Sequence, residues 1–360
     1  MPFTMTADLT HCGALLDAMP DPALLVGQDR RILLANPAAR ELFAAPLNGA
    51  SALSYLRQPE PAAALDRALA ALAEGARGKP GFEARMFQTS PTRETVLRLT
   101  AVPLAPEQGL PGVLVTLRDI SHVEEAEQQR RDFVANVSHE MRSPLTVLAG
   151  FIETLKGPAR DDPAATAQFL DIMEREAQRM SRLVSDLLSL SRVESEEKVR
   201  PRAMVSLSEV LRATLAALRP QIDEAGLVVD FRDLPEAPQI PGDRDQLVQV
   251  FHNLIENALK YGASGGRIDV SLDRVEALPG LSGPALKVQV RDHGDGIDAI
   301  HLPRLTERFY RVDGHRSRAM GGTGLGLAIV KHIVNRHRGK FTIRSTRGEG
   351  STFAVALPIA

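Results

Sequence analysis

The sequence predicts a multidomain α+β chain: a small α/β domain, a helical hairpin, and a second, larger α/β domain. Three observations carry this. Its 360 residues exceed what one ordinary domain holds. Residues 133–155 and 164–196 place apolar side chains every three or four positions, the pattern of helices that pack on helices. On either side the pattern turns to short apolar runs bounded by Gly, Pro, Asn and Asp.

Composition narrows the function classes. A formal net charge of −2 argues against a general nucleic-acid binder and supplies no attraction to a membrane surface. Cys12 is the sole cysteine, which excludes an intrachain disulfide and a cysteine metal cluster and suits a reducing cytoplasm. No apolar run approaches the roughly 18 residues of a membrane span, and the first ten residues lack a signal-peptide core. The expectation is a cytoplasmic chain, soluble as it stands, with membrane association only through a segment upstream.

The first domain is read over 11–120. Ala23-Leu24-Leu25-Val26 and Arg31-Ile32-Leu33-Leu34-Ala35 flank Gly27-Gln28-Asp29-Arg30, a hairpin signal. Asn36-Pro37 opens a helix through Phe43, with Asn as cap and Pro in the first turn. Residues 62–73 form an alanine-rich helix, and 82–87, 94–104 and 112–119 read as strands. His11 and His122 lie at the domain edges as surface residues. Residues 121–132, charged and free of Gly and Pro, continue as a helical linker into the next element.

The hairpin is read over 133–197. Val134, Val137, Met141, Leu145, Leu148, Ile152 and Leu155 form the first stripe. At about 100° per residue, His139 points well away from Val137 and Met141, onto the wet face. Alone, such a histidine is an ordinary surface residue. Pro144 removes the hydrogen bond to the Glu140 carbonyl, so a bend is expected just beyond the histidine. Gly157-Pro158 and Asp161-Asp162-Pro163 end this helix, and Asp162 caps the next. Phe169, Ile172, Met173, Met180, Leu183, Val184, Leu187, Leu190 and Val193 form the second stripe. Two stripes on one hairpin leave apolar surface for a partner. A homodimeric four-helix bundle is expected, with Met180, Leu183, Leu187 and Leu190 on its seam.

A charged hinge over 194–202 leads into the last domain, 203–360. Helices are read at 207–218, 246–261 and 328–337, and strands at 228–231, 267–272, 286–292, 341–345 and 352–357. On the second helix, Asn253, Asn257 and Lys260 share a polar side. An Asn oxygen suits a hard cation such as Mg²⁺, and Lys offers a point charge to phosphate, although such a face is ordinarily just polar. Asp292-His293-Gly294-Asp295-Gly296-Ile297 follows a strand, where a carboxylate can accept an amine proton from a purine. Gly321-Gly322-Thr323-Gly324-Leu325-Gly326-Leu327 runs into a helix, exposing N–H groups and a positive dipole end to phosphate. It is not a P-loop, because no Lys-Ser/Thr follows the last glycine.

His139-Glu140-Met141-Arg142-Ser143-Pro144-Leu145-Thr146 closely resembles the phospho-acceptor motif, or H box, of sensor histidine kinases. The segment 253–261 resembles that family's N box, and 292–297 its first glycine box. Phe309-Tyr310-Arg311-Val312-Asp313 resembles its F box, 321–327 its second glycine box, and 348–352 its last glycine turn. These motifs cover the chain from Asp132 onward in the family order. The first domain resembles the PAS fold, and the whole is similar to the phosphate-regulon subgroup of PAS-containing kinases.

The resemblance implies a dimerisation and phosphotransfer hairpin and an α/β-sandwich ATP-binding domain of the gyrase, Hsp90 and histidine-kinase type. It implies ATP and Mg²⁺ as cofactors and His139 as phospho-acceptor, with Glu140 accepting its proton or holding its tautomer. Asn257 is implied as the metal ligand and Asp292 as the reader of adenine. Asn253, Lys260, Tyr261, Gly294, Gly296, Ile297, Arg311, Gly322, Thr323, Gly324, Leu325, Gly326 and Thr352 complete the implied nucleotide site, under a basic lid over 304–318. The implied partner is the receiver domain of a response regulator. The alternative is an ATP-driven clamp on the same nucleotide fold, with Glu256 or Asn253 where clamps carry a catalytic Glu and His139 incidental. Two positions depart from the family pattern. Ser143 replaces the usual Thr four residues after the histidine, which weakens the case for phosphatase activity. Arg338 stands where relatives often carry Gly.

Overall fold

The computed structural model describes residues 12–75, 81–89, 94–104, 112–160, 162–197, 199–312 and 322–359. His11, Asp161, Asp313, Gly321 and most of the 304–318 segment beyond Val312 lie outside the described residues. Two units separate, residues 1–132 and 133–360.

In the first unit, β1 (Ala23–Val26) and β2 (Ile32–Ala35) form the expected hairpin. With β3 (Phe82–Thr89), β4 (Glu94–Leu104) and β5 (Gly112–Asp119) they build one antiparallel sheet in the order β2-β1-β5-β4-β3. Helix α1 (Pro37–Phe43) follows β2, and α2 (Pro59–Ala73) lays Ala64, Leu65 and Ala68 against Leu99, Val115 and Leu117 of the sheet. Asn36 does more than cap α1. Its Oδ1 accepts from the Ala39 N–H at 2.9 Å and the Ala23 N–H at 2.9 Å. Its Nδ2 donates to the carbonyls of Met19 at 3.1 Å and Asp21 at 2.9 Å. The side chain is fully buried with every donor and acceptor used, as a buried amide requires. His122 is exposed beside Glu125, as expected of a surface residue.

Helix α3 (Ser121–Lys156) is a single element. The linker continues into the histidine stalk as expected, and the helix runs on across Pro144, so the lost bond to Glu140 is absorbed without a break. Asp162 caps α4 (Pro163–Glu196), accepting from the Ala164 and Ala165 N–H groups at 3.0 Å each. Phe151 and Phe169 stack at 4.9 Å between centroids and tie the two helices together.

The C-terminal body is a two-layer sandwich. Its sheet runs β11-β12-β10-β9-β7, where β7 is Val228–Arg232, β9 Arg267–Val275, β10 Ala285–Asp292, β11 Lys340–Thr346 and β12 Gly350–Pro358. Only the β7–β9 pair is parallel. Helices α5 (Leu207–Glu224), α6 (Arg244–Tyr261) and α7 (Gly326–Arg336) form the second layer. Phe251, Leu254 and Ile255 of α6 share one core with Val270, Val288, Val290 and Val355 of the sheet. Helix α5 runs past the expected Leu218, with Pro220 inside it. The short pair β6 (Met204–Val205) and β8 (Ile240–Pro241) is too brief to leave a sequence pattern.

The buried His337 joins two helix ends. Its Nε2 accepts from the Asp243 N–H at 2.9 Å and its Nδ1 reaches the Ile333 carbonyl at 2.8 Å. Burial holds its pKa below the ordinary value, so the ring is a neutral structural link. Arg338, the departure noted above, has φ of 57°. A left-handed residue just past a helix end is the position that favours glycine.

The expected seam is corrected for Leu183, Leu187 and Leu190, while Met180 is half-buried. Leu183 and Leu190 are buried within this chain, in one hydrophobic cluster with the C-terminal core, and Leu187 packs against that cluster. The apolar side chains left exposed on the hairpin are Val134, Leu145, Val147, Ile152, Leu170, Val184 and Leu188.

Asn36→Ala should destabilise the first unit by about 2–4 kcal/mol, because it removes a helix cap and orphans buried backbone groups. Chemical denaturation of wild type and variant checks this; equal midpoints would contradict it.

Candidate functional site

The period-two alternation of strands decides which side chains face α6. On β10 and β12, Asp292 lies opposite Ser351, and both are buried on the helix side. Thr352 pairs with Arg291 and Arg344, both exposed, on the opposite face. The expectation for Thr352 is therefore corrected: its neighbour Ser351 faces the site. Asp292 Oδ1 accepts from the Gly294 N–H and the Ser351 N–H, at 3.1 Å each. Burial pushes its pKa up, and these two backbone donors work against that rise.

A cavity of about 560 Å³ opens above Asp292. Asn253, Asn257, Lys260 and Tyr261 line it from α6, and Gly296 and Ile297 from the turn after β10. Arg311, Gly322, Thr323, Gly324 and Gly326 complete the wall opposite. These residues come together as the sequence predicts. Two others do not line the space. Leu325 is fully buried in the core, and Gly294 lies beneath the cavity, contributing its N–H to Asp292.

Local bonds hold this wall in place. Asn253 Nδ2 donates to the Gly326 carbonyl at 3.3 Å, fastening the start of α7 to α6. Gly324 has φ of 74°, and a Cβ there would stand 2.9 Å from the Phe309 backbone, so the position admits only glycine. The Phe309 N–H bonds the Gly324 carbonyl at 2.8 Å, which docks the aromatic segment onto the glycine loop. Lys260 pairs with Glu256 at 2.9 Å, one helical turn away.

The hairpin also reaches the cavity, which the sequence did not signal. Arg182 and Asp186 of α4 line it together with Gln249, His252, Glu256, Tyr310, Ser351 and Phe353. Asp186 Oδ2 accepts from the Thr323 hydroxyl at 2.7 Å. That hydroxyl in turn accepts from the Leu325 N–H at 3.3 Å. Burial raises the Asp186 pKa; the Thr323 bond and the nearby Lys260 and Arg182 oppose the rise, and Glu256 adds to it.

His139 is exposed on α3. Glu140, beside it, is held by two arginines. Arg179 of α4 meets Oε2 at 2.7 Å, and Arg311 meets the same oxygen at 3.1 Å and Oε1 at 3.4 Å. Arg311 also donates to the Thr323 carbonyl at 2.9 Å. Phe133 meets Phe309 in a tilted ring contact, with centroids 5.9 Å apart.

Known proteins repeat this organisation. Residues 242–360 match the family described as histidine kinase-, DNA gyrase B-, and HSP90-like ATPase. Residues 129–196 match the His kinase A (phospho-acceptor) domain, and 16–125 the PAS fold. The phosphate regulon sensor protein PhoR of Pseudomonas aeruginosa is 42% identical over 243 residues, which are 67% of this chain and 52% of that protein. The chain belongs to the PAS-containing sensor histidine kinases. The chain is also similar to drug sensory protein A of Synechocystis, 34% identical over 99% of this chain and 57% of the relative. It spans about half the length of these curated relatives. The solved complex of histidine kinase ThkA with response regulator protein TrrA superposes with a TM-score of 0.51. At 22% identity over 96% of this chain and 98% of that one, that likeness speaks to the fold. Among the described residues, no helix is long and apolar enough to cross a membrane.

Asp186→Asn tests the cost of the buried carboxylate. A carboxyl whose folded pKa is raised above 3.8 loses stability as pH climbs from 3.8 through the folded value. Asn keeps an acceptor for Thr323 and removes the charge. The melting temperature of the variant should therefore gain on wild type as pH rises from 4 to 8; a gap that shrinks over this range would contradict the assignment.

Proposed function

We propose that this chain is an ATP-dependent protein histidine kinase. It phosphorylates His139 and passes the phosphoryl group to an Asp of a response-regulator receiver domain. The observation that carries this is the cavity over Asp292. It gathers a buried carboxylate, an Asn/Lys helix face and a glycine loop at a helix start, within the unit that displays His139 on an exposed helix.

ATP fits the residues present. Asp292 at the cavity floor would accept the adenine amino proton through its carboxylate. Lys260 and the N–H groups of 322–326 other than that of Leu325, which bonds the Thr323 hydroxyl, would take phosphate oxygens. Mg²⁺ fits Asn257, because this ion is commonly held by one or two protein oxygens, phosphates and water rather than by a protein cage. Among the described residues there is no cluster of three His, Cys, Asp or Glu that would demand another arrangement. Bound there, Mg²⁺ would neutralise phosphate charge.

In the proposed step, an imidazole nitrogen of His139 attacks the γ-phosphorus in line. An N–P bond forms, the bond to the ADP oxygen breaks, and Glu140 accepts the imidazole proton or holds the reactive tautomer. The resulting phosphoramidate is labile enough to pass to a carboxylate. Ser143, exposed four residues on, keeps a hydroxyl for orienting water without the methyl that restrains Thr. The exposed His139 with its acidic neighbour favours the kinase over the clamp reading, which has no need of it.

The further parts of the proposal are a PAS sensor over 11–120, a signalling linker over 121–132, a phosphotransfer hairpin over 133–197, and a catalytic domain over 203–360. The exposed apolar residues of the hairpin support pairing with a second copy into a four-helix bundle. The cytoplasm is the proposed compartment.

His139→Gln should abolish acid-labile, base-stable label from γ-labelled ATP while leaving nucleotide-analogue binding intact. Label retained in this variant would sink the acceptor assignment. Asn257→Ala should cut the labelling rate by about 100-fold or more and leave the helical content unchanged. A wild-type rate would show that the metal position is misplaced.

A further inference from the structure

Within the kinase reading, on which this inference rests, we propose that Arg179 is a positioning residue that fixes Glu140 beside the acceptor histidine. The carboxylate of Glu140 projects from α3 toward α4 and the C-terminal body, and two guanidinium groups share it. They are not equivalent. Arg179 has Glu176 of its own helix 3.5 Å from Nη1, close enough for charge attraction without a hydrogen bond, and its Nη2 reaches Glu140 at the shorter distance of 2.7 Å. It does not line the cavity.

Arg311 is placed differently. It lines the cavity and bonds the glycine-loop carbonyl of Thr323 as well as Glu140. Among the described residues, its Nε is buried without a hydrogen-bond partner. A buried donor left unpaired makes this a costly resting place for a guanidinium. A phosphate-bearing ligand in the cavity offers that group better acceptors, and bidentate phosphate binding suits arginine. When Arg311 turns to the nucleotide, Glu140 retains Arg179.

The consequence is chemical. A glutamate that must take a proton from, or orient, one imidazole has to sit in one place, and a freely rotating side chain on an exposed helix does not. Arg179 supplies the fixed point across the hairpin, from a helix separate from the one that carries His139. The sequence gives no hint of the pairing, because the residues are 39 positions apart.

The test compares Arg179→Ala, Arg179→Lys, Glu140→Ala and the Arg179→Ala/Glu140→Ala double variant in the full chain, with γ-labelled ATP. Arg179→Ala should lower the autophosphorylation kcat by about tenfold or more with KM for ATP within about twofold of wild type. Arg179→Lys, which keeps the charge and most of the packing, should recover a large part of that loss. In the Glu140→Ala background, removing Arg179 should change kcat by less than about twofold, since the group it positions is already gone. Equal losses in both backgrounds, or a rise in KM with kcat unchanged, would overturn the inference and leave Arg179 a structural or binding residue. A wild-type chain that forms no phosphohistidine would overturn the kinase reading, and this inference with it.

Discussion

The constraint on which the rest of the site depends is the buried carboxylate of Asp292. A carboxylate taken from water needs donors, and here they are the Gly294 and Ser351 N–H groups. Providing them forces three chain segments into close approach. A Cβ on Gly262, just past α6, would collide with Asp292 itself. A Cβ on Gly350 would collide with the Asp292 carbonyl, and one on Gly294 would press on Gly262. Glycines scattered over nearly ninety positions thus answer to one packing requirement. The floor of the cavity is rigid because the backbone that builds it has nowhere else to go.

Above that floor the walls come from elements with different degrees of attachment. Helix α6 is held by its apolar face in the core, so Asn253, Asn257 and Lys260 are presented from a stable scaffold. The glycine loop is held by Asn253 at one end and by Phe309 in its middle. The hairpin contributes through polar contacts that include Asp186 to Thr323, Ser189 to Gln249 at 2.8 Å, and Glu140 to Arg311. Partly buried polar contacts of this kind add modest net stability, since desolvation offsets much of the attraction. They are suited to being exchanged, whereas the core beneath them is not.

The hairpin divides its apolar surface between two tasks. Leu183, Leu190 and Val193 on α4 are buried against the C-terminal core, and Leu187 packs beside them. Val134, Leu145 and Ile152 on α3, with Leu170, Val184 and Leu188 on α4, stay in water in the single chain. The hairpin thus buries part of its apolar surface in the chain's own body and keeps another part exposed.

Much of the architecture was legible because it follows from local periodicity and chemistry. Asn36-Pro37 and Asp162-Pro163 mark helix starts, and both Asn36 and Asp162 cap as read. The short apolar runs read at 286–292 and 352–357 mark strands, and the glycine and Asn/Lys motifs locate the cavity. Which face a residue takes was harder. Thr352 and Ser351 differ by one position, and only the β10–β12 register puts Ser351 over the site and Thr352 behind it. By itself the sequence determined the order of the helical and mixed regions, the exposed His139 and most of the residues that line the cavity, since these depend on spacing within a few turns of chain. Only the tertiary structure decided that Asp186 and Arg182 enter the cavity and that Arg179 and Arg311 converge on Glu140. Those contacts join residues 39 to 171 positions apart, and no local propensity carries information across such distances.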